Sequence, residues 1–173
     1  MRDQAAQIGS HLLTGEDFDF GPDAHPALPF PRWPGLATPA QDADDTIRRA
    51  ASVATETGIS DLTCHTDPPY LGLVPAPDGA TAITASGWLA PSGEPAKDSA
   101  VIKSWQYRFG TQLISLGLDT LVLIVTKPPR SLEHARHGAS EHFAFCHDLA
   151  DMLAFQHYAQ QLIDNPTWGF WWD

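Results

Sequence analysis

The segment 168–173 reads Trp-Gly-Phe-Trp-Trp-Asp and brings four aromatic side chains together in six residues. Aromatic residues favour strands, in which successive side chains point to opposite faces. A period of two divides the segment into one face with Trp168, Phe170 and Trp172 and another with Gly169, Trp171 and Asp173. Burying the first three side chains removes about 450 to 750 Å² from water. Any fold of this chain therefore needs a sheet with a core that holds them.

Two further segments supply partners for such a strand. Residues 121–125 read Leu-Val-Leu-Ile-Val, and this continuous apolar run indicates a central strand covered on both faces. Residues 111–116 and 120–126 are both rich in the branched and apolar residues that suit strands, and they flank Gly117-Leu-Asp119, which predicts a β-hairpin.

Three segments after residue 98 have helical rather than strand spacing. Residues 99–110 place Ile102, Trp105 and Phe109 on one face. Ser131 is a helix cap, and residues 148–163 form another helix that ends at Asn165-Pro166. The helix after Ser131 has an apolar stripe of Leu132, Ala135, Ala139, His142, Phe143 and Cys146. We therefore expect an α+β fold: a small mixed or antiparallel sheet packed against three to four helices, ending in an aromatic C-terminal strand.

The first half of the chain has weaker patterns. Six prolines between residues 21 and 39 exclude a helix or central strand, so residues 1–40 are predicted to be a proline-rich leader that wraps on the domain. Residues 41–173 are predicted to form a single α+β domain. Within it, residues 42–57 are predicted to be a helix ended by Gly58. Residues 59–88 are predicted to form an antiparallel meander, with strands at 61–65, 70–74 and 80–85.

The charge of the chain restricts its partners. With 21 acidic and 10 basic side chains, the formal net charge is -11, which opposes binding to nucleic acid and anionic membranes. A basic protein or a cationic small molecule is favoured instead, although such a charge also serves solubility alone. We find no membrane-spanning or signal segment, and two cysteines are too few for a disulfide framework. We expect a cytoplasmic protein with reduced thiols.

Several short motifs in the second half occur in a distinctive order. They are Gly87-Trp88, Ser104-Trp105, Arg108-Phe109-Gly110, Gly117-Leu-Asp-Thr-Leu121, Pro128-Pro129, the run from Ala139 to Cys146 with Asp148, and the terminal Trp-Gly-Phe-Trp-Trp-Asp. In this order and spacing the chain resembles the bacterial domain of unknown function numbered 4253, over about residues 87–173. The resemblance supports the α+β fold and implies no particular activity. This chain has His147 where members commonly have proline, and Asp151-Met-Leu-Ala where a glutamine-glycine segment is expected.

One group of candidate reactive residues lies near Cys146. His142 and Cys146 are four residues apart, as a pair of metal ligands on one helical face would be, and Cys64 with His65 would complete a site. The alternative is structural, because free cysteine often behaves as a small buried hydrophobe. We favour the structural interpretation and expect no metal or other cofactor. The neighbouring group of His134, His137 and Glu141 falls opposite the apolar stripe, where solvation is the simplest expectation and weak metal binding is the alternative.

Arg108 is the third candidate. It lies beside Trp105 and Phe109 at the edge of a buried face and is expected to meet a carboxylate there. The candidate carboxylates are Asp119, Asp148 and Asp173. Such a pair is structural, or it holds an anionic ligand.

Two functional hypotheses remain, and the chain lacks the common hydrolase, nucleotide-binding and dehydrogenase motifs. We favour a non-catalytic soluble binding module, immunity-like or regulatory, whose acidic surface meets a protein partner. The alternative is a small-molecule enzyme or ligand-binding domain with a pocket around Arg108, His142 and Trp171. The candidate pocket or binding residues are Trp88, Trp105, Arg108, Glu141, His142, Asp148, Trp171 and Asp173.

Overall fold

The computed structural model describes residues 33–40, 48, 52, 70–89 and 92–173. Besides the single helical residues Arg48 and Ser52, these residues contain five helices and three strands. In chain order they are α1 Gly79–Ala85, α2 Pro95–Phe109, β1 Thr111–Leu116, β2 Thr120–Val125, α3 Leu132–Phe145, α4 Leu149–Met152, α5 Phe155–Gln161 and β3 Thr167–Trp171. The predicted α+β class is confirmed. No helix in this described part of the chain is long and apolar enough to cross a membrane.

The three strands form one antiparallel sheet in the order β1-β2-β3. All six residues of β2 are buried, as expected for a central strand covered on both faces. Leu123 of β2 is opposite Trp168 of β3, and Leu121 is opposite Phe170. A register shift in β1 between Leu113 and Ser115 interrupts the hairpin ladder, which is otherwise regular.

The aromatic face of β3 forms the centre of the core. Trp168, Phe170 and Trp172 are all buried. Trp105 of α2 stacks on Phe170 with ring centroids 5.4 Å apart and meets Trp168 edge to face at 5.7 Å. Trp171 points to the opposite face and keeps 39% of its surface exposed. The period-two division of this strand is therefore the one that the sequence predicts.

Local sequence features fix the start and end of α2 and the start of α3. Pro95 occupies the first turn of α2, where its missing N–H is no loss, and Gly110 ends the helix with a φ of 62°. Ser131 caps α3 by accepting a hydrogen bond from the N–H of His134. The start of α3 after Ser131 and the end of α2 at Gly110 are as predicted, whereas α2 begins at Pro95, four residues before the predicted helix at 99–110.

The meander predicted for residues 59–88 is wrong in the part that the structure describes. Residues 80–85 belong to helix α1, because Asp78 accepts a hydrogen bond from the N–H of Thr81 and so caps the helix. Residues 70–74 have no regular secondary structure. The strand predicted at 61–65 lies outside the described residues. So does the helix predicted at 42–57, apart from Arg48 and Ser52, which are helical.

The single helix predicted for residues 148–163 is also wrong. It is divided into α4 and α5, because Leu153 and Ala154 between them adopt extended backbone conformations. Asp148 makes no side-chain cap at the start of α4. Its carboxylate instead accepts a hydrogen bond from the N–H of Asp173, which ties α4 to the end of β3.

Residues 33–40, which we call the strap, run without regular secondary structure beside α2 and α3. The N–H of Ala40 donates to the carbonyl of Arg108 in α2, and Nε2 of His134 in α3 lies 2.8 Å from the carbonyl oxygen of Thr38. Ala37 is buried in the main core. The division into a leader at 1–40 and a domain at 41–173 stays a prediction, which these contacts do not test.

Candidate functional site

The most elaborate polar arrangement in the described residues joins α2 to α3. Arg108, in the last turn of α2, forms two parallel hydrogen bonds with Glu141 of α3: Nη1 to Oε1 at 2.7 Å and Nη2 to Oε2 at 2.5 Å. Both side chains are buried. Two charges withdrawn from water in this way are tolerated only when they are paired and hydrogen-bonded, and this bidentate geometry meets that requirement.

The Glu141 carboxylate receives two more hydrogen bonds. The indole N–H of Trp105 donates to Oε2 at 2.8 Å, and the backbone N–H of Ala37 in the strap donates to Oε1 at 2.7 Å. A carboxylate has about four acceptor positions, so the protein itself fills all of them. Glu141 is therefore an organising group of the fold and has no free position for a substrate proton.

Arg108 is held from other directions as well. Its Nη1 also donates to the carbonyl of Ala37 at 3.1 Å, and its Nε donates to Oγ of Ser104 at 3.2 Å. The guanidinium carbon lies 5.3 Å from the ring centroid of Phe109. The expectation that Asp119, Asp148 or Asp173 pairs with Arg108 is wrong, because those aspartates lie at the other end of β1 and β2 from Arg108.

His142 lies next to this pair and is completely buried. Burial, with a further contribution from the charge of Arg108, lowers its pKa from 6.5 to about 3. Its Nδ1 is 2.8 Å from the hydroxyl of Tyr158, and its Nε2 has no hydrogen-bond partner within the described residues. Its ring packs against Trp105 and Trp168, with centroids 4.9 and 4.3 Å away. His142 is thus a neutral core side chain at physiological pH.

Cys146 is also a buried structural residue. Burial raises the pKa of its thiol to about 12, and the Sγ–H donates to the carbonyl of Trp171 at 3.1 Å. A thiol that stays protonated at neutral pH is a poor nucleophile and a poor metal ligand. Across the described residues, no group of three or more His, Cys, Asp or Glu side chains is arranged to hold a metal. Cys64 and His65 lie outside those residues.

The histidines and the glutamate predicted to share a solvated face of α3 have different environments. Glu141 is buried because the strap covers this side of the helix, so its expected solvation is wrong. His134 and His137 are half-buried and border two surface grooves of about 300 and 220 Å³. Neither groove is lined by Arg108, His142 or Trp171, the residues around which a pocket is predicted.

The remaining candidates meet at the opposite end of the sheet, which we call the tryptophan end. It comprises Trp88, Leu89, residues 117–120, residues 146–151 and residues 171–173. The indole N–H of Trp88 donates to the carbonyl of Gly117 at 2.7 Å, and its ring meets that of Trp172 edge to face at 6.3 Å. The N–H of Trp172 donates to the carbonyl of Asp119, and the N–H of Asp173 donates to Asp148.

The eight candidate residues therefore form two groups. Trp105, Arg108, Glu141 and His142 are in the buried cluster, and Trp88, Asp148, Trp171 and Asp173 are at the tryptophan end. Sequence reasoning missed Ala37, the strap residue bound to Glu141 and Arg108. It also missed the exposed leucines of the tryptophan end, Leu89 and Leu118, which are 84% and 88% exposed. A leucine between the glycine and aspartate of a hairpin turn is the signal that could have shown Leu118.

Comparison with known proteins gives one result. The family model described as "Domain of unknown function (DUF4253)" matches residues 70–173. This range begins before α1 and contains β1 to β3, the buried pair and the tryptophan end, but not the strap. Comparisons with curated proteins and with solved structures return no match.

Proposed function

Because the chain belongs to the DUF4253 family, whose description assigns no activity, we propose a function from its geometry: a non-catalytic module that binds a basic protein partner. Such a module would act as an immunity-like or regulatory protein. The proposal includes a cytoplasmic location, which the free, buried thiol of Cys146 supports. The binding surface is the tryptophan end.

The observation that carries the proposal is the composition of the tryptophan end. Leu89 and Leu118 are almost fully exposed there, together with part of the ring of Trp171. Protein interfaces have such apolar and aromatic centres, surrounded by polar residues. The residues of the tryptophan end also include four aspartates and neither lysine nor arginine: Asp119, Asp148, Asp151 and Asp173. An apolar centre with carboxylates around it favours a partner that presents an apolar side chain flanked by Lys or Arg.

The charge of the chain supports a basic partner in a second way. Residues 70–173 carry ten acidic and six basic side chains, and residues 1–69 carry eleven and four. Both parts are therefore acidic, with formal charges of -4 and -7. Such a field raises the rate of encounter with a cationic protein and weakens as salt is added.

The buried cluster supports the non-catalytic part of the proposal. Its carboxylate accepts four hydrogen bonds from the protein, its imidazole is neutral and enclosed, and the nearby thiol is protonated. General acid-base and nucleophilic catalysis both need a group that can reach a substrate. These side chains instead hold α2, α3 and the strap together.

The test is capture of partners from the native host at low and high salt, followed by affinity measurement with the purified partner. Trp171→Ala and the double change Asp148→Asn with Asp173→Asn should each weaken binding at least about tenfold. Tyr107→Ala and Asp164→Asn are matched controls, because both residues are exposed and lie away from the tryptophan end. The controls should bind like the unchanged protein. Failure to recover a partner at low salt, or unchanged affinity in both test variants, would contradict the proposal, as would turnover of a metabolite.

A further inference from the structure

The side chains around Ala37 bind its backbone as a protein binds a peptide ligand. Glu141 accepts the N–H of Ala37, and Arg108 donates to its carbonyl. A carboxylate and a guanidinium side by side thus bind the two polar groups of one backbone residue. The side chain is a single methyl group, and it is buried with 3% exposure. The neighbouring Leu36 and Thr38 are exposed.

The two receptor side chains are held in place without the strap. The indole of Trp105 fixes one oxygen of Glu141, Ser104 accepts from Nε of Arg108, and the pair is closed by its own two hydrogen bonds. All these groups belong to α2 and α3. Removing the strap would therefore leave a preorganised acceptor and donor facing an empty position, which favours binding of another peptide there.

The strap has one fully buried hydrophobic residue, Ala37, and Trp33 is half-buried. Its backbone hydrogen-bonds to Arg108, Glu141 and His134, and the carbonyl oxygen of Gly35 lies 3.4 Å from Nδ1 of His137. Segments with so little buried apolar surface open more readily than the core does. The strap is thus suited to exchange.

We propose that the Arg108–Glu141 pair, with the adjoining faces of α2 and α3, is a peptide-binding site that residues 33–40 occupy in cis. Its ligand in trans is an extended segment of another protein with a small residue, such as alanine, facing the pair. A larger side chain is excluded because the position of the Ala37 methyl is enclosed. This site is separate from the tryptophan end and does not depend on the function proposed for it.

The test uses a fluorescent synthetic peptide with the sequence of residues 33–40 and two full-length variants. Ala37→Asp places a carboxylate beside Glu141 and should release the strap, whereas Thr38→Asp makes the same change at an exposed position and should not. The peptide should bind the Ala37→Asp chain at least about tenfold more tightly than the Thr38→Asp chain. An ester in place of the Leu36–Ala37 peptide bond removes the N–H that Glu141 accepts, and should weaken binding by about tenfold or more.

Equal binding to the two variants, or equal binding of the amide and ester peptides, would overturn the proposal. Hydrogen exchange in the unchanged protein gives an independent measurement if Ala37→Asp fails to fold. Excess amide peptide should accelerate exchange at the amides of Ala37 and Ala40 as it displaces the strap, and the ester peptide should do so much less. Exchange that does not change at saturating peptide would also refute the proposal.

Discussion

Glu141→Gln should be among the most destabilising conservative substitutions in this domain. The amide has the same shape as the carboxylate, but it has one acceptor oxygen instead of two. Whichever way it is oriented, one side of the group turns an NH₂ toward two buried donors. Those donors are the Ala37 N–H with Nη1 of Arg108, or the Trp105 indole with Nη2 of Arg108. The charge that balances the buried guanidinium is lost as well.

The magnitude follows from these contacts. Two buried donors without acceptors cost about 1 to 3 kcal/mol each. Removing one partner of a buried ion pair costs about 3 to 5 kcal/mol in other proteins, which agrees with that sum. We therefore expect a loss of about 3 to 5 kcal/mol in the free energy of unfolding. For a chain of this size the corresponding decrease in Tm is about 6 to 20 °C.

Urea unfolding followed by tryptophan fluorescence measures this loss as a shift in midpoint at constant slope. Glu133→Gln is the matched control, because Glu133 is exposed on the same helix and should change stability by less than about 0.5 kcal/mol. A double-mutant cycle combines Glu141→Gln with Arg108→Met. The double variant should be more stable, by at least about 2 kcal/mol, than the sum of the two single losses in free energy of unfolding predicts. A loss below about 1 kcal/mol for Glu141→Gln, or additive single changes, would refute this account of the pair.

Three further predictions concern His142, Cys146 and Gly79. The pKa of His142 is lowered from 6.5 to about 3, so as pH falls the unfolded chain binds a proton at His142 before the folded protein does. The contribution of His142 to the free energy of unfolding is therefore complete above about pH 6.5 and is lost towards pH 3, by up to about 5 kcal/mol. His142→Phe should flatten the dependence of the urea midpoint on pH in that window, and an unchanged slope would contradict the assignment. In a Cys64→Ser background, Cys146 should resist iodoacetamide in the folded protein and react in urea, whereas rapid labelling of the folded protein would show that the thiol is accessible. Gly79→Ala should destabilise the protein by about 1 to 3 kcal/mol, because the added Cβ would lie 3.0 Å from Cβ of Leu113. The control is Gly169→Ala, whose added Cβ meets nothing within 4 Å and should not destabilise the protein. Equal unfolding midpoints for the two variants would contradict this prediction.

The elements that the sequence predicts correctly are those with strong periodicity. Residues 168–173 alternate with a period of two, residues 121–125 of β2 are all apolar, and α2 has its large side chains at helical spacing. In each case the pattern reports which face is buried, and burial determines the packing. The family resemblance placed on about residues 87–173 is confirmed by the match to residues 70–173.

The wrong elements are those in which short-range signals compete. Residues 80–85 are rich in residues that suit a strand or a buried helix, and the Asp78 cap decides for helix. In residues 148–163 the helical stripe continues across Leu153 and Ala154, although the backbone there is extended. A periodic pattern identifies a buried face, but it does not show that the backbone is continuous.

The buried pair was only half predictable. The sequence predicts that Arg108 meets a carboxylate, but a single apolar stripe on α3 places Glu141 on the opposite, solvent-facing side. The strap makes the second side of α3 an interior surface, and a contact between residue 37 and residue 141 has no local signal in the sequence. The small residues Gly138, Ala139 and Ser140 just before Glu141 indicate close approach on this part of the helix, and all three are buried.

The order of the strands has a consequence for folding and aggregation. β2 pairs with β1 through a short turn, but its other neighbour is supplied from about 50 residues later in the chain, after α3, α4 and α5. Until β3 arrives, the Thr-Leu-Val-Leu-Ile-Val segment of β2 has one unpaired edge and the composition that favours cross-β association. Variants that weaken β3, such as Trp168→Ala, should therefore lose refolding yield as protein concentration rises, which light scattering during dilution from urea would detect. The central strand that stabilises the folded sheet is also the segment most exposed to misassembly before the sheet is complete.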